Sequence, residues 1–134
     1  MSIFKVGDFT LNSGSKAKWE IDCDDFTKED WEALALMVKE QNFDFGRIVP
    51  VPKGKSSSPI DNALRFADAL QQYITPNSSV TLIIDDVYTT GGSITACRDT
   101  LEKGTLCWGV VVFARKPIML KDSFWVHPIF QFWV

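Results

Sequence analysis

The run Val-Thr-Leu-Ile-Ile at residues 80–84 has none of the polar–apolar alternation of a strand with one wet face. A continuous apolar run of this length suits a strand covered on both sides, as in a parallel sheet. Two more such runs flank it: RIVPV at 47–51 and LCWGVVVFA at 106–114. Helical patterns lie before and between them. Thr27 predicts an N-cap with Asp30 three residues on, and Trp31, Leu34, Ala35 and Val38 form one apolar face that should end near Asn42. Ser58 predicts the cap of a second helix, with Pro59 at its first position, Asp61 in its first turn, and Ile60, Ala63, Leu64, Ala67 and Ile74 on one face. Ile94, Cys97, Arg98 and Leu101 predict a third, closed by Gly104. Alternating helices and buried strands imply an α/β fold: a parallel sheet with helices on both faces, three layers in all.

The 134 residues suffice for one domain with one core, so residues 1–134 are read as a single domain. FTLNSGSKAKWEID reads as two short strands around an Asn-Ser-Gly turn, and DSFWVHPIFQFWV as a terminal strand whose aromatics belong to the core or a dimer interface. The net charge of -3 argues against a nucleic-acid partner, which asks for a basic footprint. It leaves phosphate binding open, because backbone N–H groups can hold one small anion. Three cysteines without a CxxC pair, and one histidine, do not suggest zinc; Cys23, Cys97 and Cys107 read as reduced, mostly buried thiols. The first residues carry no long apolar core, and no apolar run reaches membrane-spanning length, so the expectation is a cytoplasmic protein without membrane contact.

In open parallel sheets, ligands bind beyond the carboxyl ends of the strands. The unusual polar loops fall there: PKGK after the first run, DDVYTTGGS after the second, RKP after the third. In the second, Asp85 and Asp86 precede Thr89, Thr90, Gly91, Gly92 and Ser93. Gly91 and Gly92 let the backbone turn and approach a ligand, and the hydroxyls, the successive N–H groups and the positive end of the next helix suit a phosphate. Carboxylates repel phosphate but accept hydrogen bonds from sugar hydroxyls and hold hydrated Mg²⁺. A phosphate with vicinal hydroxyls nearby describes a ribose 5-phosphate.

LIIDDVYTTGGS resembles the phosphoribosyl-diphosphate (PRPP) signature of the type I phosphoribosyltransferases. VGDFTLNSGSKAKWEID is similar to the opening of orotate phosphoribosyltransferases, VPVPKGK to their pyrophosphate loop, and GVVVFARK to the strand that follows the PRPP helix. The resemblance implies a type I phosphoribosyltransferase-like fold with a small hood of N- and C-terminal strands. It also implies a Mg²⁺-dependent transferase of pyrimidine nucleotide metabolism, acting on PRPP and a small nitrogenous base as a homodimer. Asp85, Asp86 and Lys53 would be its catalytic residues. Asp85 and Asp86 would contact the ribose hydroxyls and Mg²⁺ through water, residues 89–93 the 5-phosphate, Lys53 and Gly54 the pyrophosphate, and Arg115 the base.

Three departures bear on activity. The family's flexible loop between the pyrophosphate loop and the PRPP strand has no counterpart, since one helix and a PNSS turn separate Lys53 from Asp85. Asn12 stands where the family has a lysine, and Glu20 where it has an apolar aromatic residue. The second reading is therefore a non-catalytic PRPP- or nucleotide-binding module on the same fold.

Overall fold

The computed structural model describes residues 4–10, 16–54, 58–118 and 124–131. Strands β1 (Phe4–Thr10) and β2 (Lys16–Ile21) pair antiparallel, with a register shift between Val6 and Phe9. The expected turn between them lies outside the described residues. A 3-10 turn at Cys23–Asp25 leads into helix α1 (Lys28–Glu40). The α1 cap is the expected one: the Thr27 hydroxyl accepts from the Asp30 N–H, and the Asp30 carboxylate accepts from the Thr27 N–H. Trp31, Leu34, Ala35 and Val38 are its buried residues, and Asn42 just beyond takes φ 60°.

Strand β3 (Arg47–Pro50), helix α2 (Asn62–Leu70), strand β4 (Thr81–Tyr88), helix α3 (Gly92–Asp99), strand β5 (Cys107–Ala114) and strand β6 (Val126–Gln131) follow. The four strands form one parallel sheet in the order β3-β4-β5-β6. The C-terminal strand was expected in a hood beside the N-terminal strands, and here the structure corrects the reading. β6 pairs with β5 at the edge of the main sheet, and β1 and β2 form a sheet of two by themselves.

The start of α2 is a second correction. Its N-cap is Asp61, whose carboxylate accepts from the Leu64 N–H, and not Ser58. Its buried face is Ala63, Phe66, Ala67 and Leu70, while Leu64 points outward, 47% exposed. The hydroxyl of Ser58 instead accepts from the Ile60 N–H and donates to Asp24.

Side chains of β4 and β5 alternate between two cores. Leu82, Ile84, Val110 and Val112 pack with Trp31, Leu34, Phe66 and Leu70 of α1 and α2; Ile83 and Val111 pack with Ile94 and Cys97 of α3 on the opposite face. The three expected layers are present. Close approach explains two glycines. A Cβ on Gly109 would lie 2.9 Å from Ile94 Cδ1 of α3 and 3.1 Å from Val126 Cγ2, and one on Gly46 would run into the Ser78 carbonyl.

One feature of the topology was not expected. From β3 through α2 to β4, and from β4 through α3 to β5, the chain steps one strand in the same direction, with its helices on opposite faces. The two crossovers therefore have opposite hands, and one is the rare left-handed kind. Among the described residues no helix is long and apolar enough to cross a membrane.

Candidate functional site

Lys53, Asp85, Asp86, residues 89–93 and Arg115 all fall at one end of the sheet, beyond or within the carboxyl ends of β3, β4 and β5. The first loop is released by a proline. Gly46 donates to Val80 O, so ladder parity would call for the N–H of residue 50 to reach Ile84 O. Pro50 has none. The Val51 N–H takes that carbonyl at 2.8 Å, the strand ends, and Lys53 and Gly54 follow, both exposed. A Cβ on Gly54 would meet nothing within 4 Å, so the backbone there stands open.

The acids sit inside β4, which runs on to Tyr88. Face alternation breaks at them: Val87 packs with the α1–α2 core and Tyr88 with the α3 core, the reverse of what Ile83 and Ile84 set up. Across this break the carboxylates bind their own backbone. Asp85 Oδ1 accepts from the Asp86 N–H and Asp86 Oδ1 from the Val87 N–H, both at 2.8 Å. Burial pushes the Asp85 carboxyl well above the usual carboxylate range, and the charge of Asp86, a side-chain hydrogen bond with it, and Asp61 push the same way.

The glycine loop ends in a bare helix N-terminus. Gly91 takes φ 85°, which suits glycine, and caps α3 with no side-chain hydrogen bond. Thr27 and Asp61, by contrast, cap α1 and α2 with their side chains. Near the start of α3 the Gly92 N–H makes one long bond to a side chain, to Thr90 Oγ1 at 3.4 Å. First-turn N–H groups of α3 thus face outward at its positive end. Arg115 follows β5, and its N–H donates to Tyr88 O at 2.9 Å; its side chain is 7% exposed, so the guanidinium is held within the fold.

The structure adds residues that the motifs did not indicate. Cys23 is buried, and its thiol is pushed up by burial, then by the charges of Asp86, Asp22, Asp24 and Asp85. Asp24 accepts from Ser58 Oγ at 2.9 Å and from Asn62 Nδ2 at 2.6 Å. Asn62 Oδ1 is buried without a hydrogen-bond partner. The acidic string DCDD was the available signal; with no glycine or basic residue beside it, it reads as a solvated turn. Asn12 lies outside the described residues, and Glu20 lies on β2, opposite Lys5.

Solved structures share this fold. An orotate phosphoribosyltransferase from Aeropyrum pernix matches 96% of this chain with 88% of its own, at a TM-score of 0.75 and 18% identity. That of Mycobacterium tuberculosis H37Rv, in complex with inorganic phosphate, matches 94% of this chain with 86% of its own, at 0.62 and 15% identity. This chain has the orotate phosphoribosyltransferase fold. It also matches 33% of the UMP synthase of Leishmania donovani, covering 96% of its own length, at a TM-score of 0.61 and 18% identity. No family model matches the chain, and no curated protein does. At these identities the likeness concerns the type I phosphoribosyltransferase-like architecture, trimmed to 134 residues.

Proposed function

We propose that this chain is a PRPP-dependent phosphoribosyltransferase, transferring ribose 5-phosphate to a nitrogenous base with release of pyrophosphate. The observation that carries the reading is the uncapped N-terminus of α3, which follows directly on a strand bearing two adjacent carboxylates. In this reading the first-turn N–H groups of α3 and the hydroxyls of residues 89–93 hold the 5-phosphate. Asp85 and Asp86 accept hydrogen bonds from the ribose hydroxyls and orient C1. Lys53 faces the pyrophosphate, whose charge grows as the C1–O bond breaks and the ring nitrogen attacks. Arg115 holds the base side of the pocket from beside Tyr88.

Mg²⁺, when bound, supplies positive charge to the leaving diphosphate. Among the described residues no three His, Cys, Asp or Glu side chains converge on one point. Two oxygen donors, Asp85 and Asp86, suit an ion that keeps its waters and is carried mainly by substrate phosphates.

A PRPP- or nucleotide-binding module is the second reading. It is favoured by the short path from the Lys53 loop through α2 to β4, in which the described residues include no long loop to close over the site. Turnover of PRPP with a panel of bases separates the two. Pyrophosphate release with one base supports the transferase; PRPP binding without release with any base supports the module. Orotate is expected to be a poor acceptor. Asn12 does not carry the charge of the family's lysine, and losing a charge-assisted bond to the orotate carboxylate costs about 1.5–3 kcal/mol, roughly ten- to a hundredfold. Efficient orotate turnover by the wild type would contradict that expectation.

A further inference from the structure

We infer that helices α1 and α2 hold a water molecule between them, bridging Trp31 Nε1 and Asn62 Oδ1. The indole nitrogen is a donor only, and the amide oxygen an acceptor only. Both atoms are buried, and neither has a hydrogen-bond partner among the described residues. Trp31 is 2% exposed, so bulk solvent does not reach its N–H. Buried polar groups are nearly always paired, with protein or with ordered water, because a bare one loses its hydration without return. One donor and one acceptor in want of partners match what a single water supplies.

The Asn62 amide has one workable orientation. Its Nδ2 donates to Asp24 Oδ1 at 2.6 Å. Turned round, it would set Oδ1 against a carboxylate oxygen, acceptor against acceptor. Trp31 meets α2 on the side where Asn62 stands. Its ring lies 5.6 Å from that of Phe66, and the Arg65 guanidinium carbon lies 5.8 Å from a Trp31 ring centre. Arg65 and Phe66 are the third and fourth residues after Asn62, so they flank its direction on the helix, one to each side and a turn further along. Helical side chains lean toward the N-terminus, so both reach back over the turn that Asn62 opens. An indole that touches both therefore lies over that turn. Its other ring neighbour, Phe26, brings no oxygen or nitrogen in its side chain. Arg65 is itself engaged, with Nη2 donating to Phe26 O at 2.6 Å, and a guanidinium has no acceptor to offer.

The water would add a polar link to a helix pair that otherwise meets through apolar side chains, and it is independent of the PRPP reading. Two measurements on the full chain test it. The first uses the wild type: a crystal structure that resolves ordered water, and water-to-protein cross-relaxation on isotope-labelled protein with the Trp31 indole signal assigned. The expected result is a water within about 3.2 Å of both atoms, and a cross-peak from the Trp31 indole proton to long-lived water. A direct bond between Trp31 Nε1 and Asn62 Oδ1, a water on one of them alone, or water on neither would overturn the inference.

The second is a double-mutant cycle of Trp31→Phe and Asn62→Ala, read by chemical denaturation. The bond from Asn62 to Asp24 is lost in both variants that carry Asn62→Ala, so it cancels from the cycle. Each single substitution takes one partner from the water and strands the other, whereas the double removes both. The combined loss should therefore fall short of the sum of the two, by about threefold or more in the unfolding constant. Additive losses would overturn the bridge. Should either variant fail to fold, the measurement on the wild type decides.

Discussion

Asp86 and Gly91 serve the proposed ligand by different means, and substitution can separate them. Asp86→Asn should weaken ribose-bearing ligands and leave free phosphate nearly unchanged, because an amide is a poorer partner for sugar hydroxyls than a carboxylate. Gly91→Val should weaken both, since φ 85° is costly for a branched residue and its side chain would crowd the anion. Titration with ribose 5-phosphate and with phosphate reads the difference; equal losses for Asp86→Asn would remove the sugar assignment. Asp85 allows a prediction about pH. Burial raises its carboxyl well above the ordinary carboxylate range in the folded protein, so the folded state holds that proton more tightly than the unfolded chain. Stability is therefore lost as pH rises from about 4 through the raised value, and the loss persists above it. Asp85→Asn removes the buried charge, so its gain in Tm should be larger at pH 8 than at pH 4. A larger gain at pH 4 would mean that the fold stabilises the carboxylate as an anion. A variant that gains stability while losing the proposed ligand would show the acid pair held for binding at the expense of the fold.

Among the elements, the glycines that set distances give the clearest test. Gly109→Ala should destabilise the protein by about 1–3 kcal/mol, with Ile94 Cδ1 and Val126 Cγ2 giving way as flexible side-chain ends. Gly46→Ala should cost more, because the obstacle is the Ser78 backbone carbonyl, and Gly46 also donates to Val80 O at the start of the sheet. Chemical denaturation ranks the two, and the reverse order would place the tight contact elsewhere. The three-layer plan was legible because runs such as VTLII admit one environment, and α1 was legible to its capping box. The start of α2 was not. Ser58 and Asp61 are both good caps by type, and the choice of Asp61 turns on Asp24, far away in the chain, which takes the Ser58 hydroxyl. The place of β6 was not legible either. A short aromatic strand carries no mark of its partner, and Trp125 and His127 found theirs in Phe43 and Trp108, brought close only by the fold. The opposite hands of the two crossovers lie beyond any local pattern. They accord with a chain in which α2 leads straight to β4, where the family that the sequence resembles has a further segment.

Across the whole molecule, the distribution of polar groups is the argument for function. Three segments at one end of the sheet carry an exposed lysine, two carboxylates, a helix N-terminus without a side-chain cap and a buried arginine. The motifs made most of this set legible, because a glycine loop after a buried strand has few other uses. The bonds of Asp24 to Ser58 and Asn62, and the influence of Asp61 on Asp85, were hidden, since they exist only in the folded chain. At the far side, Trp125 and Leu106 stay exposed. The central claim is that residues 85–93 form a site for a ribose 5-phosphate ligand. The most direct test is thermal denaturation with PRPP and Mg²⁺, set beside sulfate at the same concentration and repeated in Gly91→Val. A ligand that binds only the folded state raises Tm, by about 2.7 kcal/mol of stability at a hundredfold excess over Kd. The account predicts a clear rise with PRPP, a smaller one with sulfate, and neither in Gly91→Val. No shift with PRPP in the wild type, or the same shift in Gly91→Val, would contradict it.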